Sequence, residues 1–154
     1  MVGLKQALII FVKNPIKGQV KTRLAAGIGD EAALKIYQRL SLIARSAAKK
    51  GDWDVHVWYG NDIPEEDIWQ AEGWPRHNQQ GDDLGARMHH AIESCLSGGY
   101  SKAVLVGSDI AGLNSDILEE AFFILDKNDA VLGPTADGGY YLIGLKEAFP
   151  SMFV

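Results

Sequence analysis

Between Lys13 and Arg23 the chain reads Lys-Asn-Pro-Ile-Lys-Gly-Gln-Val-Lys-Thr-Arg, so Lys13, Lys17, Lys21 and Arg23 share one short stretch with no acid among them. Such a cluster suits an anion. Arg23 offers a planar fork to phosphate oxygens, Lys21 a compact charge on a flexible stem, and Gly18 lets the backbone approach closely. Together they fit a diphosphate. Asp109, closing Val104-Leu-Val-Gly-Ser-Asp109, is the complementary group: a carboxylate at a strand end can hold a hard cation such as Mg²⁺ or Mn²⁺ against phosphate oxygens. Alone, the lysines would read as solvated loop charge and Asp109 as a turn or capping residue; each strengthens the other.

Weaker candidates follow. In Gly133-Pro-Thr-Ala-Asp-Gly-Gly-Tyr-Tyr141 the backbone of Gly138 and Gly139 can lie close to a ligand, with Asp137 and the Tyr140 hydroxyl as polar contacts, or the segment is merely a hairpin turn. Asp83 and Arg87, within Gln80-Gly-Asp-Asp-Leu-Gly-Ala-Arg-Met88, fall on the first turns of a helix, where contact with base or substrate competes with capping, which is favoured. The histidines show no metal spacing: His89 and His90 point apart on a helix, and His56 and His77 stand alone. Cys95 lies on an apolar helix stripe and reads as an inert buried thiol. Trp53, Trp58, Trp69 and Trp74 crowd the least regular stretch and suit core cover better than a contact surface.

The positioning elements alternate. Ala7–Val12 is a continuous apolar run, the mark of a strand buried on both faces of a parallel sheet. Asp30 can cap a helix with Ala33, Ile36, Tyr37, Leu40, Ala44 and Ala47 at helical spacing, ending near Gly51. Val55–Tyr59 reads as a strand, and Pro64–Trp69 as a short helix with proline in its first turn. Asp82 or Asp83 opens a helix carrying Leu84, Met88, Ala91, Ile92 and Cys95, and Ala103–Val106 is a further buried strand. Asn114 or Ser115 caps a helix to about Lys127, followed by strands at Ala130–Gly133 and Tyr140–Leu145. This alternation predicts an α/β fold with a mainly parallel sheet, helices on both faces and a ligand crevice at the carboxyl ends of the strands.

Composition narrows the function. The chain has 154 residues, 47% of them hydrophobic, which suits one domain over residues 1–154. A single cysteine, no signal-like start and no apolar run near the ~20 residues of a membrane span point to a cytoplasmic protein. The net charge of −5 conceals an asymmetry: the residues before Asp30 carry five cations and no acid. The rest is strongly acidic, so nucleic acid is repelled while one loop attracts small anions. A P-loop NTPase is excluded because no Gly-x-x-x-x-Gly-Lys-Ser/Thr is present. Gly27-Ile-Gly-Asp-Glu-Ala32 matches a dinucleotide fingerprint in letters but lies too far beyond Val12 for a dehydrogenase turn.

Four blocks in order, Phe11–Leu24, Gln80–Met88, Gly107-Ser-Asp-Ile-Ala-Gly-Leu113 and Gly133–Leu145, resemble the motifs of the DUF2064 family of glycosyltransferase-A-like proteins. The resemblance spans nearly the whole chain and implies a three-layer, Rossmann-like nucleotide-diphospho-sugar transferase fold, shared with nucleotidyltransferases. It implies phosphate binding at Lys13, Lys21 and Arg23, a metal on Asp109, and an acceptor-facing loop at Asp137–Tyr140. Ala111 departs from it, standing where the family usually has proline. Members typically continue further, with an acidic motif that in related transferases supplies another metal ligand. The expected activity is nucleotidyl or glycosyl transfer from a nucleoside triphosphate or nucleotide-sugar to a small acceptor, with Arg23 and Asp109 catalytic; the alternative is a non-catalytic nucleotide-binding or dimerisation module of the same fold. The apolar end, Phe149–Val154, is expected to pack on the core or on a second copy in a homodimer.

Overall fold

A computed structural model describes residues 5–153. Its core is a six-stranded sheet built from β1 (Gln6–Val12), β2 (Asp54–Tyr59), β3 (Arg76–Asn78), β4 (Lys102–Gly107), β5 (Ala130–Pro134) and β6 (Tyr140–Leu145), in the order β3-β2-β1-β4-β6-β5. The first four strands are parallel; β6 runs antiparallel to both β4 and β5. The apolar run of β1 is central, with Ala7, Leu8, Ile9 and Ile10 fully buried because sheet and helices enclose it on both faces.

The helices are α1 (Thr22–Ile28), α2 (Asp30–Ala48), α3 (Leu84–Ser97) and α4 (Ser115–Leu125). Strand alternation sends Leu8, Ile10 and Val57 to one face, where α2 and α4 pack through Ala44, Leu118 and Phe122. Ala7, Ile9 and Trp58 face the other way, against Met88, Ala91, Ile92 and Cys95 of α3. The α/β architecture with helices on both faces is therefore the one the pattern requires.

Several local expectations need correction. Asp30 makes no cap: Gly29 occupies that position, and Asp30 begins α2 as an acid in its first turn. Ile36 is at the surface rather than in the core, since α2 buries the narrower stripe of Ala33, Tyr37, Ser41 and Ala44. No helix forms over residues 64–69; only a 3₁₀ turn at Gln70–Glu72 follows. The Asp67 carboxylate accepts from the Trp69 and Gln70 amides, a local bond pattern that competes with helix. Strand β3 and helix α1 were not anticipated, being short and without an apolar period. Asp83 and Asn114 do cap α3 and α4, accepting from Ala86 and Ile117 amides at 2.7 and 3.0 Å.

The histidines also need revision, because His56 and His77 do not stand alone. Their rings stack, with Nδ1 of His56 3.1 Å from Nε2 of His77, and His56 Nε2 lies 2.9 Å from the Tyr100 hydroxyl, which donates to Asp54. Strand pairing of β2 with β3 brings them together, a tertiary effect invisible in spacing. Cys95 is buried, and burial pushes its thiol up to about 11, as an inert core cysteine requires. Trp58 and Trp69 are core residues, and Trp53 stacks on Phe122. The last turn, Pro150–Phe153, lies on α3, where the Phe153 ring meets His89 edge-on. Val154 is outside the described residues.

Candidate functional site

Sheet register builds the site. Phe11 of β1 pairs with Gly107 of β4, so the residues that follow, Lys13 and the Ser108-Asp109 pair, leave the sheet side by side. Leu142 of β6 pairs with Val106, and because β6 is antiparallel its start, with the Asp137–Gly139 turn, lies at the same end. Three loops from distant parts of the chain thus meet at the carboxyl edge of the parallel strands, where an open α/β sheet places its crevice.

Two residues hold this edge in shape. Tyr37 reaches from α2 so that its hydroxyl accepts from the Lys13 amide at 2.9 Å, donates to the Lys13 carbonyl at 3.0 Å and lies 3.1 Å from Ser108 Oγ. With its proton committed to Lys13, Tyr37 accepts from Ser108. Burial raises the Tyr37 hydroxyl above its ordinary value, partly offset by the Ser108 bond, so it stays protonated. Lys21 holds the other side at φ 46° and ψ 49°, the only non-glycine residue with positive φ among the described residues. A left-handed lysine stores strain, and strain concentrates at binding sites.

That turn aims Lys21 at Asp109: Nζ lies 3.7 Å from Oδ2, with the lysine largely covered and the carboxylate half-exposed. Asp109 folds back over the end of β4, where a Cβ on Gly107 would come within 3.3 Å of Oδ1. A cavity of about 220 Å³ opens beside the pair, lined by Val12, Lys13, Val20, Tyr37, Gln79 and Leu84 together with Ser108 and Asp109. A second, about 400 Å³ and mainly apolar, lies on the other side of Asp109 between Phe11, Met88, Leu105, Tyr140 and Tyr141. A third joins Gln19, Lys21, Thr22 and Arg23 to Asp109.

The structure brings Lys13, Lys21, Arg23 and Asp109 around one crevice. Gly18 has φ 84°, supplying the bend that the loop needs before Lys21. Asp137 is exposed and accepts from the Thr135 hydroxyl and the Gly139 amide, which hold its carboxyl below the ordinary value, with a smaller contribution from Arg23. Tyr140 lines the apolar cavity. Asp83 is spent on its cap, and Arg87 donates through Nε to the Gly81 carbonyl at 3.1 Å, so both shape the loop after β3. Sequence reasoning missed Tyr37 and Gln79 as site residues. For Tyr37 the signal was present: a tyrosine on a buried helix stripe must find a partner for its hydroxyl.

A metal has limited protein support. Among the described residues no group of three or more His, Cys, Asp or Glu side chains could hold one. Asp109 fits the mode in which Mg²⁺ takes one carboxylate and draws its remaining ligands from phosphate and water.

The family described as "Uncharacterized protein conserved in bacteria (DUF2064)" matches over residues 43–154. The chain belongs to the DUF2064 family. Among solved structures it is similar to a protein of Desulfovibrio desulfuricans G20 described as a proposed nucleotide-diphospho-sugar transferase, at 34% identity and a TM-score of 0.86, over 98% of this chain and 68% of that one. It shares its fold with a cytidylyltransferase of Leptospira borgpetersenii serovar Hardjo-bovis (strain JB197), at 14% identity and TM-score 0.62, over 98% of this chain and 63% of that one. A 4-diphosphocytidyl-2C-methyl-D-erythritol synthase of Anaerococcus prevotii DSM 20548 matches at 11% identity and TM-score 0.57, over 93% and 70% of the two chains. The comparison with curated proteins found no similar sequence. No helix among the described residues is long and apolar enough to cross a membrane.

Proposed function

We propose that this DUF2064 chain binds the diphosphate of a nucleoside triphosphate or nucleotide-sugar in the crevice at Asp109 and serves nucleotidyl or glycosyl transfer to a small acceptor. The observation that carries this reading is the Lys21–Asp109 pair, a cation from the β1 loop and a carboxylate from β4 facing each other over one cavity. Lys21 and Arg23 neutralise phosphate oxygens, Arg23 through its fork, and stabilise the charge that develops on the departing phosphate. Lys21 exchanges its partner, Asp109, for phosphate as ligand enters. Asp109 would hold Mg²⁺ or Mn²⁺ carried by the phosphates, and the cation would supply further charge neutralisation. The cavity beside Tyr37 and Gln79 suits the nucleoside, and the apolar cavity between Met88 and Tyr140 suits the acceptor.

A nucleotide-binding module without catalysis is the second reading, favoured by the lack, among the described residues, of any group of three or more His, Cys, Asp or Glu side chains that could hold a metal. Calorimetric titration with nucleoside triphosphates and nucleotide-sugars, with and without Mg²⁺, tests the proposal against Asp109→Ala and Arg23→Ala. Binding that needs the metal and is lost in both variants supports transfer chemistry. Binding that is indifferent to metal and to Asp109 supports the module, and no binding refutes both.

A further inference from the structure

On the side of Asp109 away from the basic loop, the crevice has a chemistry of its own. Phe11, Leu105 and Ile143 lie on the sheet face that α3 covers, but α3 begins only at Leu84, so the carboxyl edge of that face stays open beside Met88. This leaves the cavity of about 400 Å³ next to Asp109, within the range of small-molecule sites, roughly 300–1,000 Å³. Met88, Leu105, Leu142 and Ile143 are buried in it, whereas Leu84 and Tyr140 on its wall are 63% and 40% exposed.

Charge divides this cavity from its neighbours. Lys13 and Lys21 line the cavity beside Tyr37, and Arg23 joins them in the third, but among the described residues that line this one Asp109 alone is charged. An anion entering here meets a carboxylate and no cation. The polar groups select in the same sense: Asp109, when ionised, only accepts hydrogen bonds, and Thr135 spends its hydroxyl proton on Asp137. Both need a donor from the ligand, while the Tyr140 and Tyr141 hydroxyls can serve either way.

We infer that the acceptor in the transfer is an uncharged alcohol or phenol with an apolar or aromatic body, rather than a sugar phosphate or a carboxylate. This rests on the proposed function and narrows it. The body covers Leu84 and Tyr140 and fills the space beside Met88 and Ile143, while the hydroxyl donates toward Asp109, next to the phosphates held by Lys21 and Arg23. In the transfer the hydroxyl oxygen forms a bond to the transferred group. The bond from that group to the departing phosphate oxygen breaks with its electron pair, and the hydroxyl proton ends on that oxygen.

The probe is cinnamyl alcohol, followed by NMR on the full chain with labelled methyl groups and amides. Saturable shifts of the Met88, Ile110 and Ile143 methyls are expected, with cinnamate at least about tenfold weaker because its charge faces Asp109, and with ribose phosphate leaving these methyls unmoved. Saturating inorganic diphosphate, read at the Lys21 and Arg23 amides, should leave the alcohol bound, since an acceptor sits beside the donor. Leu84→Asp, at an exposed first-turn position where an acid suits the helix, should weaken the alcohol at least about tenfold; Ile110→Trp, which fills the cavity, serves if that variant does not fold. No saturable methyl shift, equal binding of cinnamate, methyls shifted by ribose phosphate, mutual exclusion with diphosphate, or unchanged binding in a folded variant overturns the inference and leaves the phosphate reading standing. If the alcohol binds but neither diphosphate nor any nucleotide does, the proposed function falls, and the acceptor role falls with it.

Discussion

Tyr37→Phe removes one hydroxyl and leaves its ring contacts in place, so it isolates the bonds that tie α2 to the two loops of the crevice. Tyr37 is 6% exposed and Ser108 only 3%, so the Ser108 hydroxyl loses its bond in a largely buried position. A buried hydroxyl left unpaired costs about 1–3 kcal/mol. The Lys13 amide and carbonyl lie on an exposed loop and recover bonds to water, adding about 0.5–1 kcal/mol. A loss of about 1.5–4 kcal/mol is therefore expected. Urea unfolding followed by circular dichroism reads it as a lower midpoint with an unchanged m-value. Tyr140→Phe, at a position 40% exposed, should stay within about 0.5 kcal/mol of the parent. A Tyr37→Phe loss below about 1 kcal/mol would refute the view that this hydroxyl holds the crevice edge.

Three further outcomes follow from the same geometry. Lys21→Gly should raise stability by about 0.5–1 kcal/mol, because glycine tolerates the left-handed turn and the half-exposed ion pair contributes little; calorimetry with inorganic diphosphate should show at least tenfold weaker binding, and Lys21→Ala should lose that binding without gaining stability. His56 and His77 are both held below their ordinary value of 6.5, chiefly by burial. The neutral pair is favoured in the folded chain, so stability is fully present above the unfolded value and falls as pH drops through 6.5 toward the folded values. Thermal unfolding between pH 7.5 and 5 should show this slope, and His56→Asn with His77→Asn should flatten it. Gly144→Ala should destabilise by about 1–3 kcal/mol, since an added Cβ meets Val131 at 2.7 Å, Leu125 at 2.9 Å and Val104 at 3.0 Å; a denaturation midpoint equal to the parent's would contradict the packing.

The long elements were legible because their burial is written as periodicity. Ala7–Val12 reads as a doubly covered strand, and Met88, Ala91, Ile92 and Cys95 as one helix stripe, since each fills a core position regardless of partners. The stretch from Pro64 to Asn78 was misread for a physical reason. Proline followed by acids fits a helix start, yet Asp67 spends its carboxylate on the Trp69 and Gln70 amides and the Tyr59 hydroxyl, and β3 exists only because β2 offers it an edge. Neither effect has a local signature.

For the candidate site the division is similar. Side chains that announce themselves by charge, Lys13, Lys21, Arg23 and Asp109, could be named from the sequence, and the strand ends they follow gave their common direction. What the sequence could not supply is which groups face each other, because register decides that. The pairing of Phe11 with Gly107 sets Lys21 against Asp109, and the antiparallel return of β6 brings in Asp137 and Tyr140. The same register makes Tyr37 more than a core residue, since its hydroxyl falls between the ends of β1 and β4 and fixes their spacing. Loop charge alone would leave Lys21 free in solvent. Its left-handed backbone and its 3.7 Å approach to Asp109 instead hold its charge at the crevice, and under the proposed function that pair is what an entering phosphate would displace.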